Sequence, residues 1–249
     1  AIDIKYLITI FAPDFYGNPV TRNDWFGYYA EWASYIGVIP LLLSIYAMVS
    51  KKQSQENFFL YAIPVTLIIA VATPVSAWVA QLKIPVLSTS IPSRLIVMTS
   101  FSLSVLASFG LDAVIRDWKD KEKRRIYTFS IFIVILITFV FIVVYFFTAF
   151  PADKLIIAKR NIILPTLLSL SMVCIFLMGL IANKGIQRIL LAIIICIVSF
   201  DLLRYAFKWM PFDPKDYMYP KTPLLTFLQE RVGYDRVFGN IGDEVHTYF

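Results

Sequence analysis

Ile126-Tyr-Thr-Phe-Ser-Ile-Phe-Ile-Val-Ile-Leu-Ile-Thr-Phe-Val-Phe-Ile-Val-Val-Tyr-Phe-Phe147 contains no charged residue, and it follows directly on Lys123, Arg124 and Arg125. About 20 apolar residues in a helix cross the roughly 30 Å hydrocarbon core of a bilayer. In lipid the backbone must satisfy its own hydrogen bonds, so such a run reads as a spanning helix. Five further runs of the same character lie on either side of it. Together they predict an all-α polytopic membrane protein with about six transmembrane helices, near 33–50, 58–79, 95–115, 126–147, 162–182 and 189–206. None shows a clean 3.6-residue alternation, as expected where helices face both lipid and bundle. Pro64 and Pro74 fall inside the second run and predict a kinked span.

Composition agrees. Hydrophobic residues make up 59% of the 249, charged residues 16%, and mean hydropathy is +0.71; soluble domains carry about 25% charge. The net charge of +6 does not predict nucleic-acid binding, because the basic residues concentrate in the loops between apolar runs. Such loops orient a membrane protein, the more basic ones facing the cytoplasm. One alternating set holds ten basic residues: Lys51, Lys52, Arg116, Lys119, Lys121, Lys123, Arg124, Arg125, Lys184 and Arg188. The other holds five: Lys83, Arg94, Lys154, Lys159 and Arg160. In the plasma membrane this predicts 51–57, 116–125 and 183–188 inside, with 1–32, 80–94, 148–161 and 207–249 outside.

All the chemically rich segments then share the outer face. Residues 1–32 form an extracytoplasmic, interfacial loop in which Asp14, Asn18, Arg22, Asp24 and Glu31 alternate with Tyr16, Trp25, Tyr28, Tyr29 and Trp32. From Trp25 to Tyr35 the aromatics fall at helical spacing. One reading is an aromatic belt at headgroup level. The other is a platform for a sugar or lipid headgroup, with Asp14, Asp24 and Glu31 binding hydroxyls or a divalent cation through hard oxygens. Arg94, just after Pro92 and at the start of a span, either reaches an anionic group at the interface or snorkels to fix helix depth. Asp201 and Arg204, three apart in the last span, are expected to pair on one helix face. Asp112 is expected at the interface. Cys174 and Cys196 lie in apolar runs and read as small core residues, and His246 in the tail argues against a histidine-based site. No phosphate loop, HExxH, CxxC or nucleophile elbow occurs. The segment 207–249 is punctuated by Pro211, Pro214, Pro220 and Pro223. It reads as a linker with a short helix near Leu224–Arg231 and a strand beginning near Tyr234–Ile241, opening into an outer soluble domain. A start at Ala1 and a polar end at Phe249 suggest a piece of a longer polypeptide.

Several of these segments carry a resemblance. Phe11-x-Pro13, Gly17, Tyr28-Tyr29-x-Glu31 and Tyr35-x-Gly37-x-x-Pro40 resemble an outer loop and following span of the YfhO family of bacterial membrane proteins. Pro92-x-Arg94-Leu95 with Gly110-Leu-Asp112 is similar to another of its segments, departing from the family pattern at Leu95 and Ser108. Tyr219-Pro220-x-Thr-Pro223 with Arg236-Val237 is similar to the entry into its outer domain. The resemblance implies a GT-C-like bundle: a glycosyltransferase taking a sugar from a polyprenyl-phosphate carrier in the membrane lipid. The acceptor would be an envelope polymer, such as a lipoteichoic acid, or a glycolipid. It places the catalytic carboxylate upstream of Ala1, the carrier phosphate on Arg94, and sugar or acceptor on Asp14, Asp24, Tyr28, Tyr29 and Glu31. A transporter or flippase of a lipid-linked substrate, and a non-catalytic membrane scaffold, are the alternatives.

Overall fold

The computed structural model describes residues 1–21, 23, 25, 34–50, 56–82, 92–146, 151–209 and 222–232. Among them the regular secondary structure is helical, with no strand. The α-helices are α1 (Val38–Val49), α2 (Glu56–Ala70), α3 (Pro74–Gln81), α4 (Ile96–Asp120), α5 (Lys123–Phe146), α6 (Ala152–Asn161), α7 (Ile163–Ile181), α8 (Lys184–Trp209) and α9 (Pro223–Val232). Short 3₁₀ turns cover Ile4–Ile10, Pro19–Thr21 and Pro92–Leu95. The chain divides into two units, Ala1–Trp209 and Met210–Phe249. In the second, α9 begins at Thr222, whose hydroxyl accepts from the Leu225 amide.

Four stretches are long and apolar enough to cross a membrane: Pro92–Asp120, Lys123–Phe146, Ala152–Ile181 and Lys184–Lys208. Only 28% of the apolar window of α5 and 17% of that of α8 is buried against protein. Ile131, Ile135 and Phe139 stand exposed along α5, a surface that water would not tolerate and lipid would. The expected count of six is met in part. Helices α1 and α2 have 12 and 15 residues, which at 1.5 Å per residue fall short of a full crossing.

The second expected span is two helices, not one kinked helix. α2 runs through Pro64 without ending and stops at Ala70. α3 then starts with Pro74 at its first turn and a capping box in which Thr73 and Ser76 bond each other's backbone amides. Proline cannot donate, so it suits a helix start, and the Thr73 cap makes the start compulsory. The backbone exposed at the break is satisfied by the N-terminal strand-like residue: the Ile2 amide donates to the Ala70 carbonyl and the Ala72 amide to the Ile2 carbonyl. Residues 1–10 thus plug a broken helix, and Ile2, Tyr6, Ala70, Ile96, Ala158 and Ile162 form one buried cluster around the plug.

Helices α1, α2, α4, α5, α7 and α8 alternate between two ends of the first unit. One end gathers Asp14, Arg94, Asn161, the start of α1 and the finish of α8. The other gathers Tyr46, Asp117, Arg125 and the start of α8. The most extensive pairing is α1 on α4, and Gly110 permits it: a Cβ there would lie 1.9 Å from the Leu43 carbonyl oxygen. Small residues let membrane helices approach this closely, and Ala107 and Ala113 flank Gly110 on the same buried stripe. Near the Asp117 end the rings of Tyr46, Phe129 and Phe176 meet, with Tyr46 edge-on to both at 4.9 and 5.3 Å. Cys174 and Cys196 are free and exposed, not core residues; they lie on outward faces of α7 and α8, which an apolar run alone does not distinguish from inward ones.

Candidate anion-binding site

Where α8 ends, four distant parts of the chain enclose a cavity of about 140 Å³. Pro13 and Asp14 come from the N-terminal segment, Tyr35 from the lead into α1, Arg160 and Asn161 from the end of α6, and Arg204 and Lys208 from α8. Three cations face one carboxylate, so the lining carries a net positive charge.

The carboxylate is committed to scaffolding. Asp14 is 6% exposed; its Oδ1 accepts from Asn18 Nδ2 at 2.9 Å and its Oδ2 from Lys208 Nζ at 2.6 Å. Asn161 Nδ2 donates to the Asp14 backbone carbonyl, fastening the N-terminal segment to the end of α6. A buried carboxylate needs such partners. Below it Tyr16 donates its hydroxyl to the Lys5 carbonyl at 2.9 Å, and burial pushes its phenol up to about 12, so it stays a neutral donor.

Arg160 and Arg204 differ from Lys208. Both are exposed at the cavity, and neither has an ion-pair partner among the described residues. An arginine offers five donors in a rigid fork that matches an oxyanion, with charge-assisted bonds stronger than neutral ones. Two guanidinium groups without an ion-pair partner among the described residues, beside a half-buried lysine anchored on Asp14, make a seat for a phosphate or carboxylate group.

Asp201 sits one helical turn from Arg204 but does not pair with it, contrary to the sequence expectation. Its Oδ2 accepts from the Tyr35 hydroxyl at 2.6 Å and the Val38 amide at 3.1 Å. Helix α1 starts after Gly37, which has no side chain to cap it and holds a φ of 95°; Asp201 supplies the missing cap from another helix. The carboxylate is 1% exposed and Oδ1 has no partner. Asp201 therefore turns toward α1 while Arg204 turns to the cavity. Asp201→Ala removes two hydrogen bonds to a charged acceptor, each about 1.5–3 kcal/mol, and is expected to lower unfolding stability by roughly 3 kcal/mol or more; thermal unfolding in detergent measures it.

Of the residues expected to bind, Asp14 lines the cavity. Arg94 is exposed in the turn Pro92–Leu95 at the same end of the bundle but is not part of the lining. Asp24, Tyr28, Tyr29 and Glu31, with most of the aromatic run, lie outside the described residues. Arg160, Arg204 and Lys208 were not among the expected binding residues. Their signal in the sequence is faint: three basic residues at the ends of segments assigned to one face. Among the described residues no three carboxylate, cysteine or histidine side chains converge as a metal site.

No protein family, no curated protein and no solved structure matches this chain.

At the opposite end of the bundle, Asp117 is buried and forms a second ionic cluster. Arg125 Nη1 donates to both of its oxygens at 2.6 and 2.8 Å, and the Tyr46 hydroxyl donates to Oδ2. This joins α1, α4 and α5. Asp112 is exposed midway along α4.

Proposed function

We propose that this chain is the carrier-binding part of a membrane glycosyltransferase that takes a sugar from a polyprenyl-phosphate carrier. The cavity between Arg160, Arg204 and Lys208 receives the carrier's phosphate. The observation that supports this is the pair of unpaired guanidinium groups facing a phosphate-sized space at one end of a bundle of apolar helices. A lipid carrier needs this combination: an anionic head at the interface and a long apolar tail alongside the helices. The excess of Lys and Arg in the 116–125 loop supports an outward-facing cavity in the plasma membrane, where an envelope polymer would be the acceptor. The resemblance to the YfhO family supplies the reaction. Arg94, at the same end, is a second contact for the carrier.

The transporter alternative calls for broken helices with polar groups at the bilayer midplane. The break at Val71–Thr73 lies instead at the Asp14 end, closed by Ile2, which favours a fixed binding face. The test is transfer from a polyprenyl-phosphate sugar to acceptor by the full-length protein in liposomes. Arg160→Ala and Arg204→Ala should each lower transfer about 10- to 100-fold, the factor for losing a charge-assisted hydrogen bond. Full transfer by both variants would remove the cavity from the reaction.

A further inference from the structure

A groove runs along the face between α1 and α5 and shares no lining residue with the anion cavity. It comprises two cavities of about 480 Å³ each, and Ile45 of α1 lines both. One cavity contains Arg124 and Arg125 with Phe129 and Phe132. The other is walled by Ile137 and Val140 of α5 and capped by the 3₁₀ turn Ile4–Ile10. Arg124 and Arg125 thus stand with one acid, Glu122, at one end, and the other end is apolar apart from Ser169 and Lys5, whose ammonium pairs with Asp3.

We infer that this groove binds one anionic phospholipid, with the headgroup at Arg124 and one acyl chain along α5 toward Val140. Length supports that occupant. From Phe129 to Val140 the helix rises about 16 Å at 1.5 Å per residue, and a single leaflet is about 15 Å, half of the hydrocarbon core. Charge supports it too. Arg125 is held by Asp117, but Arg124 is exposed at the mouth, and with Lys121 and Lys123 exposed beside it three cations outnumber Glu122, the acid in the lining. Basic pockets between spanning helices select anionic headgroups. A zwitterionic lipid would fill the apolar part equally well and gain nothing at the mouth. The site is independent of sugar transfer.

The test uses the full chain purified in mild detergent, with retained lipid read by native mass spectrometry. Phosphatidylglycerol is compared with phosphatidylcholine of the same acyl chains. The wild type should retain phosphatidylglycerol preferentially. Arg124→Gln, at an exposed site that leaves the fold intact, should cut that preference about fivefold, the factor for one basic residue at a headgroup. Leu136→Trp, which fills the apolar wall, should lose both lipids while its helix content stays unchanged. Equal retention of the two lipids by the wild type would overturn the inference. So would unchanged phosphatidylglycerol preference in Arg124→Gln. A dimer seen by light scattering that Leu136→Trp dissociates would show a second copy in the groove and overturn it likewise.

Discussion

Gly110→Val is expected to abolish accumulation of the folded chain, and Gly110→Ala to destabilise it by about 3 kcal/mol or more. Overpacking a core ordinarily costs about 1–3 kcal/mol, because side chains can move aside. Here the obstacle is backbone: the added Cβ would lie 1.9 Å from the Leu43 oxygen and 2.6 Å from its carbonyl carbon. Neither atom can swing away, so α1 and α4 must separate as bodies. Separation would also strain the links at both ends of their crossing, Ser34 with Ser100 at 2.6 Å and Tyr46 with Asp117. Yield of monodisperse protein and thermal unfolding measure the effect; a Gly110→Ala chain that unfolds with the wild type would refute the close approach.

Asp117→Ala should cost about 3–5 kcal/mol, the range for removing one partner of a buried ion pair. Asp117 is 2% exposed and Arg125 22%, so the arginine left behind regains only part of its hydration. The Tyr46 hydroxyl, fully buried, would lose its acceptor in the same step. Asp117→Asn keeps an acceptor for Tyr46 and should cost less. That ordering, Ala worse than Asn, distinguishes an ionic and hydrogen-bonded cluster from simple packing. Equal unfolding of Asp117→Ala and wild type would show that the cluster contributes nothing.

The sequence discloses the helical runs because hydropathy is a local property: the stretch from Ile126 to Phe147 reads the same alone or in the fold. It discloses the alternation of basic and less basic loops for the same reason. The break at Val71–Thr73 was also legible, since Thr73-Pro74 is a helix-start signal, but the unbroken apolar run around it outweighed that dipeptide. What local reading cannot supply is the partner. Asp201 has Arg204 three residues away, yet its donors, Tyr35 and Val38, are more than 160 residues distant. The anion cavity draws on residues from Pro13 to Lys208, and Arg160 looks like one more loop charge until α6 and α8 are set side by side. Asp117 could have been noticed by register, because it continues the buried stripe of Ala107, Gly110, Ala113 and Val114 where an apolar residue is expected. The physical reason for Gly110 is the carbonyl of Leu43, which no local pattern discloses.

Arg160 and Arg204 are proposed to hold the phosphate of a lipid carrier. Equilibrium binding of polyprenyl phosphate to the purified chain in detergent tests it, with the uncharged polyprenol as the control ligand. The wild type should bind the phosphate far more tightly than the alcohol, more weakly as salt rises, and the Arg160→Ala/Arg204→Ala chain should bind the two alike. Undiminished preference for the phosphate in the doubly substituted chain, with its helix content intact, would rule out this role for the two arginines.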